Sequence, residues 1–132
     1  MADTTLDLAG VSAAVDQYFT GFNTEDYRAV AALFESDGVL IAPFEEPLVG
    51  PEAIYVYLQA EAVNMQATPV DAEVMANPDG TRQIVVRGRV KTLLFIVNVR
   101  WTFVVTTDDT LQTAEIKLLA SLQELVQMDQ GQ

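Results

Sequence analysis

Residues 93–105 read LLFIVNVRWTFVV. The run is dense in β-branched and aromatic residues, which fit a pleated sheet, and it holds the only tryptophan of the chain, Trp101. Strand side chains alternate between faces, so Val99, Trp101, Phe103 and Val105 share one side. That side carries no charge and a single indole N–H, which needs an acceptor when buried. The chain has no histidine and no cysteine. This face therefore points to an apolar pocket that receives a ligand, not to a conventional catalytic site. Asn98 is the only turn-tolerant residue of the run, and a break before Trp101 is expected there.

The segments on either side extend the same pattern. Asn77-Pro78-Asp79-Gly80 is a strong turn. After it, Ile84, Val86, Gly88 and Val90 face inward while Arg87, Arg89 and Lys91 face outward. A weaker strand precedes the turn over Val70–Met75. Asp108-Asp109 closes the hairpin that follows Trp101. In the last strand Ala114, Ile116 and Leu118 alternate with Glu115 and Lys117. A short amphipathic tail helix is expected over about 121–129, with Leu122, Leu125 and Val126 on its apolar stripe.

The first half is helical. Val11, Ala14, Val15, Tyr18, Phe19 and Phe22 recur at helical spacing, which predicts one amphipathic helix over about 7–22. Asn23 or Thr24 is the expected cap of a second helix, with Glu25 and Asp26 in its first turn and Val30, Leu33 and Phe34 buried. Asp37-Gly38 turns into a short strand, Val39-Leu40-Ile41. After the loop APFEEPLVG, Gly50-Pro51-Glu52 starts a third helix with proline at its first position. Ile54, Leu58, Ala62 and Met65 line its inner face. Three helices followed by a curved antiparallel meander give an α+β domain spanning 1–132. The order of elements is that of the cone-shaped nuclear transport factor 2-like fold, in which helices close over a concave sheet and leave a deep apolar pocket.

Composition narrows the function. At 132 residues, half of them hydrophobic, the chain is one globular domain. The N-terminal MADTTLDLAG predicts no signal peptide and no run suggests a membrane span, so a cytoplasmic location is expected. Without cysteine there is no disulfide, zinc–thiolate site or thiol catalysis. The net charge of −12 disfavours nucleic acid as a partner. Six of the seven basic residues lie between Arg82 and Lys117. Arg87, Arg89, Lys91, Arg100 and Lys117 would give the sheet a partly basic outer face. It is either a solvated surface or a dock for an acidic partner or a second copy.

Tyr18 and Trp101 both project inward from facing elements, each with a hydrogen-bond donor. They are either plain core or a two-donor clamp on one ligand oxygen in an apolar pocket. Phe22, Val86, Val90, Val99, Phe103, Ile116 and Leu118 are its expected wall. Acid–base chemistry is poorly supplied. Glu45-Glu46, in the loop after Phe44, is the best general-base candidate. Ser12, Ser36 and Ser121 have no histidine to activate them. No phosphate-binding or dinucleotide fingerprint is present. Asp108-Asp109 is a turn and not a metal cluster, so neither a metal nor a catalytic residue is expected.

Several segments resemble one family: QYFTGFNTEDYRAVAALFESDG (17–38), APFEEPLVGPEAIYVYLQAEA (42–62), QIVVRGRVKT (83–92), VNVRWTF (97–103) and IKLLASLQELV (116–126). They are similar to the C-terminal domain of the orange carotenoid protein and its standalone homologues in cyanobacteria. In that family a tyrosine and a tryptophan donate hydrogen bonds to the keto oxygen of a ketocarotenoid, and by motif these match Tyr18 and Trp101. The resemblance implies a canthaxanthin- or echinenone-type ligand and a role in carotenoid carriage, transfer and photoprotection by singlet-oxygen quenching. It also implies a homodimer sharing one carotenoid, and a helical carotenoid-binding protein as donor or acceptor. The chain departs from the family at Leu94, where an aromatic is usual, at Ile96, near a glycine, and at Leu122, where a proline stands. Phe95 falls where some homologues carry a cysteine, so any dimer is non-covalent. Two other classes compete. One is a small isomerase or cyclase resembling ketosteroid isomerases, whose general base would fall near Pro43. The other is a ligand-free, dimeric interaction module.

Overall fold

The computed structural model of the chain describes residues 6–119. The elements are α1 (Leu8–Val11), α2 (Ala13–Asn23), α3 (Tyr27–Ala31), β1 (Phe34–Ile41), β2 (Leu48–Val49), α4 (Pro51–Glu61), β3 (Gln66–Ala76), β4 (Arg82–Lys91), β5 (Ile96–Val105) and β6 (Leu111–Leu119). One six-stranded sheet runs in the order β2-β1-β6-β5-β4-β3. Strands β3 to β6 form the expected antiparallel meander. β1 joins it by pairing parallel with β6. The helices pack on one face of the sheet, and the α+β architecture is the one the element order implied. The tail helix expected over 121–129 lies outside the described residues.

The first expected helix is two. Ser12 is extended, with φ −163°, and its hydroxyl accepts the Val15 N–H to cap α2. That hydroxyl also donates to the Asp109 carboxylate at 2.6 Å, whose second oxygen accepts the Ala14 N–H at 3.1 Å. Arg82 donates to the Val11 carbonyl at 2.7 Å and lies 3.5 Å from Asp109. The β5–β6 turn thus grips the start of α2. This is a tertiary cap that helical periodicity does not register.

The second helix also differs from expectation. Its cap is Asp26, whose side chain accepts the Ala29 N–H, and not Asn23 or Thr24. Asn23 instead closes α2 and spends its amide on Ala67, donating to its carbonyl at 2.9 Å and accepting its N–H at 2.7 Å. α3 stops at Ala31, so Phe34 opens β1 and is not helical. Asp37-Gly38 is not a turn before a short strand. It is a bulge inside β1, where the register shifts between Phe34 and Val39. α4 starts at Pro51 and buries Ile54 and Leu58, as expected.

The hairpin break is not at Asn98. That residue lies within β5, opposite Arg89 and Leu119. The chain turns at 92–95. The Thr92 hydroxyl accepts the N–H groups of Leu94 and Phe95 at 3.2 and 3.1 Å and donates to the Phe95 carbonyl. A threonine hydroxyl can organise a turn without glycine or proline. β3 also begins earlier than the expected Val70, at Gln66, and carries a bulge between Pro69 and Asp71. Gly88 sits opposite Pro69. A Cβ there would stand 2.1 Å from the Thr68 carbonyl oxygen. The missing side chain is what lets β3 close onto β4 at this bend.

Candidate functional site

Three cross-strand rows form the inner floor of the sheet. Ile84, Phe103 and Ala114 make the first, Val86, Trp101 and Ile116 the second, and Gly88, Val99 and Leu118 the third. The first row is fully buried. Above the second and third rows a cavity of about 310 Å³ opens toward the 92–95 turn. Its volume falls at the lower end of the range for small-molecule pockets.

Helices and loops complete the walls. α2 contributes Tyr18 and Phe22, and α4 contributes Tyr57, Leu58 and Glu61. Ala42, Pro43 and Phe44 close one side of the mouth, and Thr92 and Phe95 the other. Exposure rises outward: Tyr18 is 1% and Trp101 3% exposed, whereas Leu118 is 46%, Phe95 59% and Phe44 93% exposed. Phe44 holds a left-handed backbone, φ +65°. That conformation is unfavourable for a bulky residue, and here it presents the ring outward beside the mouth.

Of the expected site residues, Tyr18, Phe22, Val90, Val99, Trp101, Ile116 and Leu118 line this cavity. Val86 and Phe103 do not. They are fully buried in the packing behind it. Phe103 meets the Tyr18 ring edge-on at 5.1 Å, so its role is to back the tyrosine. Phe19 similarly meets Trp101 edge-on at 4.7 Å. These rings fix the orientation of both donors. Among the described residues, neither the Tyr18 hydroxyl nor the Trp101 indole N–H is bonded to a protein acceptor. Both residues line the cavity.

Tyr57, Glu61, Phe44 and Phe95 also line the cavity and were not singled out from the sequence. Tyr57 had a signal, since it lies three residues after Ile54 on the inner face of α4. The loop and turn residues had none, because their position depends on the Thr92 turn and the left-handed Phe44. Glu45 lines a neighbouring cleft with Glu115 and Lys117, which shares Pro43 and Phe44 with the cavity. Glu46 is exposed. Neither lines the cavity, though the Glu45 charge acts on Tyr57 in its wall. The described residues contain no cluster of metal-binding side chains.

The basic outer row is present. Arg87, Arg100 and Lys117 stand directly opposite one another across β4, β5 and β6. Arg87 pairs with Asp71 and Glu73, each at 3.3 Å. Lys117 lies 3.8 Å from Glu115. These pairs are largely exposed and contribute little to stability.

Burial, and secondarily the nearby Tyr57, pushes the Tyr18 phenol far above its ordinary range. Tyr57 is raised in the same direction, first by burial and then by Glu45 and Glu61. Tyr18 therefore remains a donor throughout the neutral and mildly alkaline range. A raised folded-state value also favours folding below the unfolded phenol value, and that contribution is lost as pH rises past it. We expect the urea midpoint to fall as pH is raised from about 9 to about 11.5, and Tyr18→Phe to flatten this decline. A midpoint constant over that range would show that the phenol is not shielded.

The Nuclear transport factor 2 (NTF2) domain matches residues 10–113. The chain belongs to the nuclear transport factor 2 family. It is 33% identical over 128 residues to the orange carotenoid-binding protein of Synechocystis sp., covering 93% of this chain and 40% of that protein. It is 32% identical over 130 residues to the orange carotenoid-binding protein of Limnospira maxima, covering 95% of this chain and 41% of that protein. The chain thus spans about two-fifths of the length of these relatives, and the match falls on their C-terminal domain. Among solved structures, the Anabaena (Nostoc) sp. orange carotenoid protein binding canthaxanthin superimposes with a TM-score of 0.81 at 31% identity, over 87% of this chain and 38% of that one. The epoxide hydrolase/cyclase-like enzyme SalBIII, at 14% identity and a TM-score of 0.62, shares the fold alone. Among the described residues, no helix is long and apolar enough to cross a membrane.

Proposed function

We propose that the chain binds a ketocarotenoid, of canthaxanthin or echinenone type, and carries or transfers it in the cytoplasm without acting as an enzyme. The observation that carries this reading is the pair of unbonded donors, Tyr18 and Trp101, at the closed end of an apolar cavity. Two fixed donors suit one keto oxygen, and the greasy wall suits a terminal ring. The likeness to proteins named for carotenoid binding supports the same class. The polyene would supply the photochemistry, including singlet-oxygen quenching, while the protein supplies solubility and ring fixation.

A full-length carotenoid exceeds this cavity and would protrude past Phe44 and Phe95. Leu93, Leu94, Phe95 and Ile96 at the turn are all exposed apolar residues. Covering them and the protruding polyene in a second copy gains about 25 cal/mol per Å² of apolar surface. The reading therefore includes a non-covalent homodimer, with a helical carotenoid-binding protein as donor or acceptor of the pigment.

The enzyme reading has less support. Pro43 stands in the cavity wall where the base of a ketosteroid-isomerase-like enzyme would fall, and Glu45 lies outside it.

Parallel co-expression tests the proposal. Cells making canthaxanthin should yield coloured protein, cells making only β-carotene should yield far less pigment per protomer, and Glu45→Gln or Glu46→Gln should change neither. Colourless protein from canthaxanthin-producing cells would overturn the reading.

A further inference from the structure

We infer that the cavity of one protomer is a complete site for a second, smaller class of ligand: a neutral, retinoid-sized ketone with a keto-bearing ring and a short conjugated chain. This rests on the reading of Tyr18 and Trp101 as donors to a keto oxygen. It goes further in ligand class, in the charge the site tolerates, and in needing no second copy.

The size follows from the strand register. The closed end is set by the buried row Ile84, Phe103 and Ala114, directly behind Trp101. From Trp101 the floor runs along β5 to Val97, four residues on, or about 13 Å at the rise of a strand. The 92–95 turn lies just beyond. A ring seated against Trp101 with a short polyene chain spans that distance and ends at the mouth. A carotenoid continues into solvent, and only that excess calls for a partner. The volume of about 310 Å³ agrees with a ligand of the smaller kind.

The charge follows from the lining. Among the described residues, no lysine or arginine contributes to the cavity wall, and the one formally charged lining residue is Glu61, an exposed side chain at the end of α4. Thr92 also lines the cavity, but its hydroxyl is spent on the Phe95 carbonyl and the Leu94 and Phe95 N–H groups of the turn. A chain ending in an alcohol can donate to the Glu61 carboxylate. One ending in a carboxylate meets Glu61 in a molecule of net charge −12 and has no cation to pair with.

Trp101 supplies the test, because it is the only tryptophan and its ring lines the cavity. Its fluorescence would be titrated with 4-oxoretinol, retinol and 4-oxoretinoic acid, and the mass of each complex measured by sedimentation. Canthaxanthin loading would be run on the same preparation. The expected result is saturable quenching by one 4-oxoretinol per protomer, with no increase in mass over the ligand-free protein. Retinol should bind about 10-fold more weakly, and Tyr18→Phe should shrink that gap. The acid should also bind more weakly than the alcohol. Absent quenching, equal affinity for 4-oxoretinol and retinol, tighter binding of the acid, or association on binding would each overturn the inference. If canthaxanthin still colours the protein in any of those cases, the carotenoid reading stands and only this inference fails. If neither ligand binds, both fail.

Discussion

Replacing both donors, Tyr18→Phe with Trp101→Phe, abolishes the preference for keto-bearing over keto-free carotenoid. The wild-type cavity offers two unbonded donors at its closed end. Each hydrogen bond contributes about 0.5–1.5 kcal/mol net, so the pair is worth about 1–3 kcal/mol, or roughly 5- to 150-fold in affinity. The double variant also leaves the keto oxygen buried without a partner, which raises the loss further. The bound pigment should lose its red shift, because nothing polarises the carbonyl end of the conjugated system. The domain itself should stay folded. The phenylalanine at 18 keeps the stacked contact with Phe22 and the edge contact with Phe103. Each single variant should give an intermediate loss. Wild-type colour, yield and keto preference in the double variant would show that the two donors are only core.

Gly88→Ala has the largest expected effect on the fold. The new Cβ would lie 2.1 Å from the Thr68 carbonyl oxygen and 2.9 Å from Pro69 Cα. Both obstacles are backbone, so no rotamer change relieves them. Overpacking of a well-filled site costs about 1–3 kcal/mol when side chains can adjust, and here β3 itself must move. We expect a loss of about 3 kcal/mol or more, and a melting temperature lowered by roughly 10 °C or more. Thermal unfolding followed by circular dichroism measures this. Gly10→Ala is the matched comparison. Its Cβ would meet only the Asp7 carboxylate, a side chain on the exposed α1 cap that can swing away. A Gly88→Ala variant melting with the wild type would mean that β3 and β4 do not close as described.

The residues that specify the floor of the site were legible in the sequence, because strand alternation depends on nothing distant. Val99, Trp101, Phe103 and Val105 are all buried, as the period of two requires. Tyr18 and Phe22 were legible for the same kind of reason, from helical spacing. What escaped was set by contacts between segments far apart in the chain. Ser12 breaks a helix whose apolar periodicity continues through it, because Asp109, 97 residues away, takes its hydroxyl. Asn23 has the chemistry of a helix cap but is claimed by Ala67. Composition points to Asn98 for the hairpin turn, while a threonine hydroxyl builds it at 92–95 without glycine or proline. The depth of the wall was the other gap. Alternation assigns Val86 and Phe103 to the inner face, but only the register shows that they lie beside or behind the cavity and not on its surface. The mouth, formed by Phe44 and Phe95, rests on one left-handed residue and one turn, neither of which has a periodic signature.

The central claim is that Tyr18 and Trp101 together hold a keto oxygen. The carbonyl stretching frequency of bound canthaxanthin, read by infrared difference spectroscopy on the loaded wild-type protein, tests it most directly. One end of the pigment should show a stretch lowered from its value in an apolar solvent, and that band should return toward the solvent value in Tyr18→Phe and in Trp101→Phe separately. A loaded protein whose carbonyl bands all stay at the apolar-solvent frequency would contradict the account.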